Sequence, residues 1–76
     1  MTFIKVENVG LIAVEHIVAV GLVEAAPVKR LARAAEQTLI LTGGKKRQTA
    51  VLLDSGQVVV TALTLEEWAW LLGRSD

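Results

Sequence analysis

Seventy-six residues with eight cations, eight acids and 53% hydrophobic side chains make a neutral, apolar chain, expected to form one domain over 1–76. The absence of cysteine excludes disulfides and thiolate metal sites. The most apolar stretch, 9–23, carries Glu15 and His16 in its middle and so falls short of the roughly 18 uninterrupted residues a membrane span needs.

The run TFIKVE (2–7) mixes β-branched, aromatic and charged residues as a short strand does, and Asn8 to Gly10 is a turn signal. GLIAV continues extended until Glu15 and His16 interrupt it. IVAVGLV (17–23) resumes as a strand, and Gly21 inside it signals a bulge or a close backbone approach. Over 25–37 the sequence becomes alanine-rich and amphipathic, and Pro27 suits the first turn of a helix, where its missing N–H costs nothing. Helical spacing puts Val28, Leu31, Ala35 and Leu39 on one face. Lys29 and Arg33 lie four apart on another, with Arg30 beside them, and Arg33 is within a turn of Glu36 and Gln37.

TLILT (38–42) reads as a strand that Gly43 and Gly44 end. Residues 48–53 and 57–63 are two apolar runs around Asp54-Ser55-Gly56, the strongest hairpin signal in the chain. AVLL and VVV within them are continuous rather than alternating, which implies burial on both faces, under a helix or a neighbouring subunit. Thr64 and Glu67 have the spacing of a capping box, with Leu63 and Trp68 placed for a hydrophobic staple. The helix they open is expected to run to Leu72 and to stop at Gly73. Leu65, Trp68 and Leu72 share one face and Trp70 points elsewhere, so one tryptophan is expected to pack in the core while the other meets a partner. The expected class is α+β: a small, mainly antiparallel, bent sheet with two short helices.

A mean hydropathy of +0.50 is more apolar material than one small core hides. Exposed apolar patches usually mark partner surfaces, so a homo-oligomer is expected. The N-terminus lacks a cationic segment followed by an unbroken apolar run, so it does not read as a signal peptide, and a cytoplasmic protein is the simple expectation.

Little here points to catalysis. His16 has no nucleophile near it in sequence, a single histidine with scattered acids makes no metal site, and no cofactor is implied; the chain is not expected to be an enzyme. GGKKRQTAV (43–51) lacks the GxxxxGK[ST] pattern, and strand rather than helix follows it, so it is not a nucleotide loop of that type. Charge is nonetheless segregated. Between residues 25 and 53, Lys29, Arg30, Arg33, Lys45, Lys46 and Arg47 face the single acid Glu36. Lys45, Lys46 and Arg47 suit contacts to phosphate oxygens, or simply keep an apolar protein in solution. Repeated around a symmetric oligomer, they would sum to a basic face.

The segments AAPVKRL (25–31), GGKKRQTAV (43–51) and LLDSGQVVVTAL (52–63) resemble, in order and spacing, the RemA-like family of bacterial regulatory proteins, over nearly the whole chain from Phe3 to Leu72. The resemblance implies a DNA-binding transcription regulator of biofilm matrix genes, a fold similar to LytTR-type DNA-binding domains, and assembly into a ring whose basic outer surface binds double-stranded DNA. The family's paired arginines after the glycine turn correspond to Lys46 and Arg47. A further DNA-contacting arginine corresponds to His16, which is mostly neutral at pH 7 unless its pKa is raised. The expected DNA site is therefore Lys45, Lys46, Arg47 and His16, with Lys29, Arg30 and Arg33 as secondary contacts or subunit-bridging residues. The expected partners are DNA and further copies of the chain, with no membrane and no small-molecule substrate. A protein-interaction or scaffolding subunit, and a small-ligand or nucleotide sensor using the glycine loop, remain the rival readings.

Overall fold

A computed structural model describes residues 2–35 and 37–74, without the side chain of Arg74. Its elements in chain order are β1 (Phe3–Val6), β2 (Gly10–Ala13), a 3-10 turn (Val14–His16), β3 (Ile17–Leu22), α1 (Ala26–Ala34), β4 (Thr38–Leu41), β5 (Thr49–Leu53), β6 (Val58–Thr61) and α2 (Leu65–Arg74).

The strands divide between two sheets, a β1–β2 hairpin and a four-stranded sheet of order β3-β5-β6-β4. Every pair is antiparallel except β4 with β6. Strands β3 and β4 thus run the same way at opposite edges, and α1 is the crossover that parallel strands require. It passes over β5 and β6 and buries one face of both. Residues alternate between the two faces of a strand. Thr49 and Val51 on β5, with Val59 and Thr61 on β6, face the hairpin and α2; Ala50 and Val60 face α1. The continuous apolar runs are buried on both sides, as expected, and Ala50, Val51, Val58, Val59 and Val60 are all in the core.

On the first face Ile4, Val6 and Ile12 of the hairpin pack with Val51, Val59 and Trp68. The Trp68 indole N–H donates to Thr49 Oγ1 at 3.0 Å and Thr61 Oγ1 at 3.2 Å, and the two hydroxyls lie 2.6 Å apart. Thr49 donates onward to the carbonyl of Leu63 at 2.9 Å, so each proton of this buried knot has an acceptor. The capping box forms as read: Glu67 N–H donates to Thr64 Oγ1 at 3.1 Å, and Thr64 N–H to Glu67 Oε1 at 3.0 Å. Trp70 is 60% exposed against 1% for Trp68, so the two tryptophans part as the spacing requires.

Four local readings are corrected. The first turn sits one residue early: Glu7 and Asn8 take the positive φ values, 48° and 57°, and Val9 N–H closes onto the Val6 carbonyl at 2.9 Å, leaving Gly10 free to pair in β2. Helix α1 ends at Ala34 rather than 37, because the chain must drop to the sheet where the Val58 N–H meets the Gln37 carbonyl at 3.1 Å. Leu31 is 48% exposed, since the face that meets the sheet carries Val28 and Ala32 instead. Gly73 lies within α2, lacking the positive φ that a glycine stop uses. Gly21 marks a close approach: a Cβ there would stand 2.6 Å from Val28 Cγ2, so the glycine lets α1 sit down on β3. The register irregularity in β3 falls earlier, between Ile17 and Ala19.

Candidate nucleic-acid interface

The glycine loop opens with a tight turn. Gly43 and Gly44 have φ of 61° and 85°, and Lys45 N–H donates to the Thr42 carbonyl at 3.0 Å. Two consecutive positive φ values favour glycine at both positions. The turn lies against Glu7, whose Cβ is 3.5 Å from where a Gly43 Cβ would be. Lys45 Nζ meets Glu7 Oε2 at 2.8 Å, and the hydrogen bond and charge of Glu7 raise the lysine pKa.

Beyond Lys45 the backbone is pinned to the sheet on both sides of Gln48. Its N–H donates to the Thr61 carbonyl at 2.9 Å, and its carbonyl accepts from Val23 N–H at 3.1 Å. That anchoring fixes where Lys46 and Arg47 emerge. They line one wall of a groove of about 510 Å³ whose other wall is α1, with Lys29 and Arg33 on it. The i,i+4 spacing of Lys29 and Arg33 puts both on one side of α1. Glu24 also lines the groove and approaches Lys29 Nζ at 3.9 Å across exposed surface. Among the described residues Arg33, Lys46 and Arg47 have no carboxylate within ion-pair distance.

His16 lies elsewhere. Its carbonyl accepts from Asp54 N–H at 2.9 Å, at the β5–β6 turn, while Lys46 and Arg47 precede the opposite end of β5. Five residues of strand at about 3.3 Å each separate the two positions by roughly 16 Å. His16 Nδ1 is 2.9 Å from Asp54 Oδ2, and the pKa of the ring is raised, first by that hydrogen bond and then by the Asp54 charge. Neighbouring Glu15 turns away to accept from Thr2 N–H at 2.7 Å, a bond that lowers its own pKa. Within one protomer, then, the structure gathers Lys29, Arg33, Lys46 and Arg47. Lys45 is tied to Glu7, Arg30 is exposed outside the groove, and His16 is at the far end of the sheet.

The partners Glu7 and Asp54 had no local signal: Glu7 reads as the end of a strand and Asp54 as a turn residue, and each meets its cation only through the fold. Among the described residues no cluster of His, Asp or Glu is arranged to hold a metal, and no helix is long and apolar enough to cross a membrane. A larger groove of about 660 Å³ lies beside edge strand β4, with Leu11, Leu39, Leu41 and Leu53 in its lining and His16 and Asp54 at its rim. Val18 and Leu22 of the opposite edge strand β3 are exposed too.

A small α+β domain with exposed apolar side chains at both sheet edges and a cationic groove at one end is what these residues make. The sequence matches, over residues 3–69, the family described as RemA-like, extracellular matrix regulatory protein A-like, and the chain belongs to that family. Comparison with curated proteins gives no match.

Proposed function

We propose that this RemA-like protein is a DNA-binding transcriptional regulator that acts as a ring-like homo-oligomer, gripping the phosphate backbone with Lys46 and Arg47. The observation that carries this reading is the convergence of Lys46 and Arg47 with Lys29 and Arg33 on one groove of a formally neutral chain. Arg33, Lys46 and Arg47, with no carboxylate at ion-pair distance among the described residues, repel one another, and a polyanion laid across them removes that cost. The family description names a regulator of extracellular matrix, which agrees with a role in gene control.

One protomer offers too few phosphate contacts for tight binding, and multiplicity supplies the rest. The exposed apolar side chains of β3 and β4 sit at opposite edges of one sheet, which suits head-to-tail association of successive copies. The reading assigns binding and no catalysis; the single histidine is engaged with Asp54.

The test is the solution mass with and without a mixed-sequence duplex, followed by binding across a salt series. The proposal expects an oligomer that shifts on adding DNA, with log K falling by about 0.9 per phosphate engaged for each decade of salt. Lys46→Ala/Arg47→Ala should assemble as wild type and lose most DNA binding. A scaffolding subunit is favoured by the apolar character and remote position of the larger groove; assembly intact with no DNA shift selects it.

A further inference from the structure

The cationic groove has a floor as well as walls. Val28 and Ala32 of α1, both half-buried, line the groove together with Lys29, Arg33, Lys46 and Arg47, and Ala50 and Val60 of the sheet, themselves buried, close it off. A duplex backbone satisfies cations at a rim but carries nothing apolar to cover such a floor. Its volume of about 510 Å³ falls within the range of small-molecule sites, which pair an apolar lining with a few convergent polar groups.

We propose that this groove binds a nucleoside diphosphate or a nucleotide of like charge, its phosphates between the α1 cations and Lys46/Arg47 and its base over Val28 and Ala32. Among the described residues, four cations against one acid call for more than a single negative charge, which disfavours a simple carboxylate. The apolar floor calls for a flat or apolar moiety attached to that charge, which inorganic phosphate lacks. Glu24, exposed at the rim and only loosely held by Lys29 at 3.9 Å, is an acceptor for the hydroxyls of a ribose. The two walls come from separate parts of the chain and are fixed independently, α1 by the Val28–Gly21 contact and the loop by the two backbone hydrogen bonds of Gln48.

Such a ligand is neither of the partners expected from the sequence, DNA and self, and its site is the α1 groove, whereas the rival nucleotide-sensor reading uses the glycine loop. Its binding stands apart from the DNA reading. Only a consequence rests on that reading: Lys46 and Arg47 serve both anions, so nucleotide and duplex exclude one another.

Isothermal titration of the intact protein with ADP, GDP, CDP and UDP, and with adenosine and inorganic phosphate as controls, tests the site. At least one diphosphate should bind about tenfold or more tighter than phosphate, and adenosine should give no heat. Arg33→Ala and Lys46→Ala/Arg47→Ala, checked for native circular dichroism, should each weaken that binding by about tenfold or more. Arg33→Lys should recover part of it. No heat with any of the four diphosphates, or phosphate binding as tightly as they do, overturns the proposal. Unchanged affinity in Arg33→Ala overturns it as well. Binding of the duplex without nucleotide defeats this inference alone, and nucleotide binding without duplex defeats only the DNA reading.

Discussion

His16 Nδ1 lies 2.9 Å from Asp54 Oδ2, joining the 3-10 turn before β3 to the β5–β6 hairpin turn. The Asp54 hydrogen bond and charge raise the His16 pKa above its ordinary 6.5. A raised folded-state pKa means that the folded protein holds the proton more tightly than the unfolded chain. The stabilisation is therefore fully present below about pH 6.5 and fades as pH climbs through the folded value. His16 is the only histidine, so its ring resonances report it alone in an NMR titration. Its midpoint should lie above the ordinary value in the wild type and fall in Asp54→Asn. The variant should also lose the part of the acid-side stability that the pair supplies. An unmoved midpoint would show that the pair does not form in solution.

The Trp68 knot sets a second expectation. Thr49→Val keeps the shape of the side chain but removes the hydroxyl that accepts from Trp68 and donates to Leu63. The Trp68 N–H is then left with Thr61, and the Leu63 carbonyl loses its donor. Stranding buried polar groups costs about 1–3 kcal/mol, which urea unfolding resolves. Trp68→Phe should cost a comparable amount, because it removes the N–H that both hydroxyls accept from and opens space. Wild-type stability in Thr49→Val would mean that the hydroxyls contribute nothing net.

A third concerns the seat of α1. Gly21→Ala places a methyl 2.6 Å from Val28 Cγ2, and valine is stiff at χ1, so either helix or strand must move. Overpacking of this kind costs about 1–3 kcal/mol. Val28→Ala removes the obstructing methyl, so Gly21→Ala/Val28→Ala should be less destabilised than the two single changes sum to. Strict additivity in that cycle would place the two residues out of contact.

These sites also mark how far the sequence could be read. The β5–β6 hairpin and the capping box were legible because their partners are neighbours in the chain, and their signals depend on residue type and spacing alone. Gly21 was legible as an anomaly, though only the fold names Val28 as its cause. The parallel pairing of β4 with β6 left no local trace, and it is what cuts α1 short at Ala34. The same holds for the cations. GGKKRQTAV looks like one basic cluster, but the Gly43-Gly44 turn swings Lys45 onto Glu7 and sends Lys46 and Arg47 toward α1. Adjacent residues in a loop need not share a destination.

That division yields the last prediction, which rests on the proposed DNA binding. Lys45 is neutralised by Glu7 at 2.8 Å, whereas Lys46 and Arg47 have no carboxylate at ion-pair range among the described residues. Removing an already compensated cation should change little. Lys45→Ala should keep near wild-type DNA affinity, where Lys46→Ala/Arg47→Ala loses most of it. Glu7→Gln removes the compensating charge and frees Lys45 for phosphate. It should raise affinity and steepen the salt slope by about 0.9 for each additional contact in the assembly. The measurement is a fluorescence-anisotropy titration of one duplex against all four proteins at several salt concentrations. Equal losses from Lys45→Ala and from Lys46→Ala/Arg47→Ala would mean that the loop acts as one undivided patch, and that the Glu7 pairing does not govern which cations face the DNA.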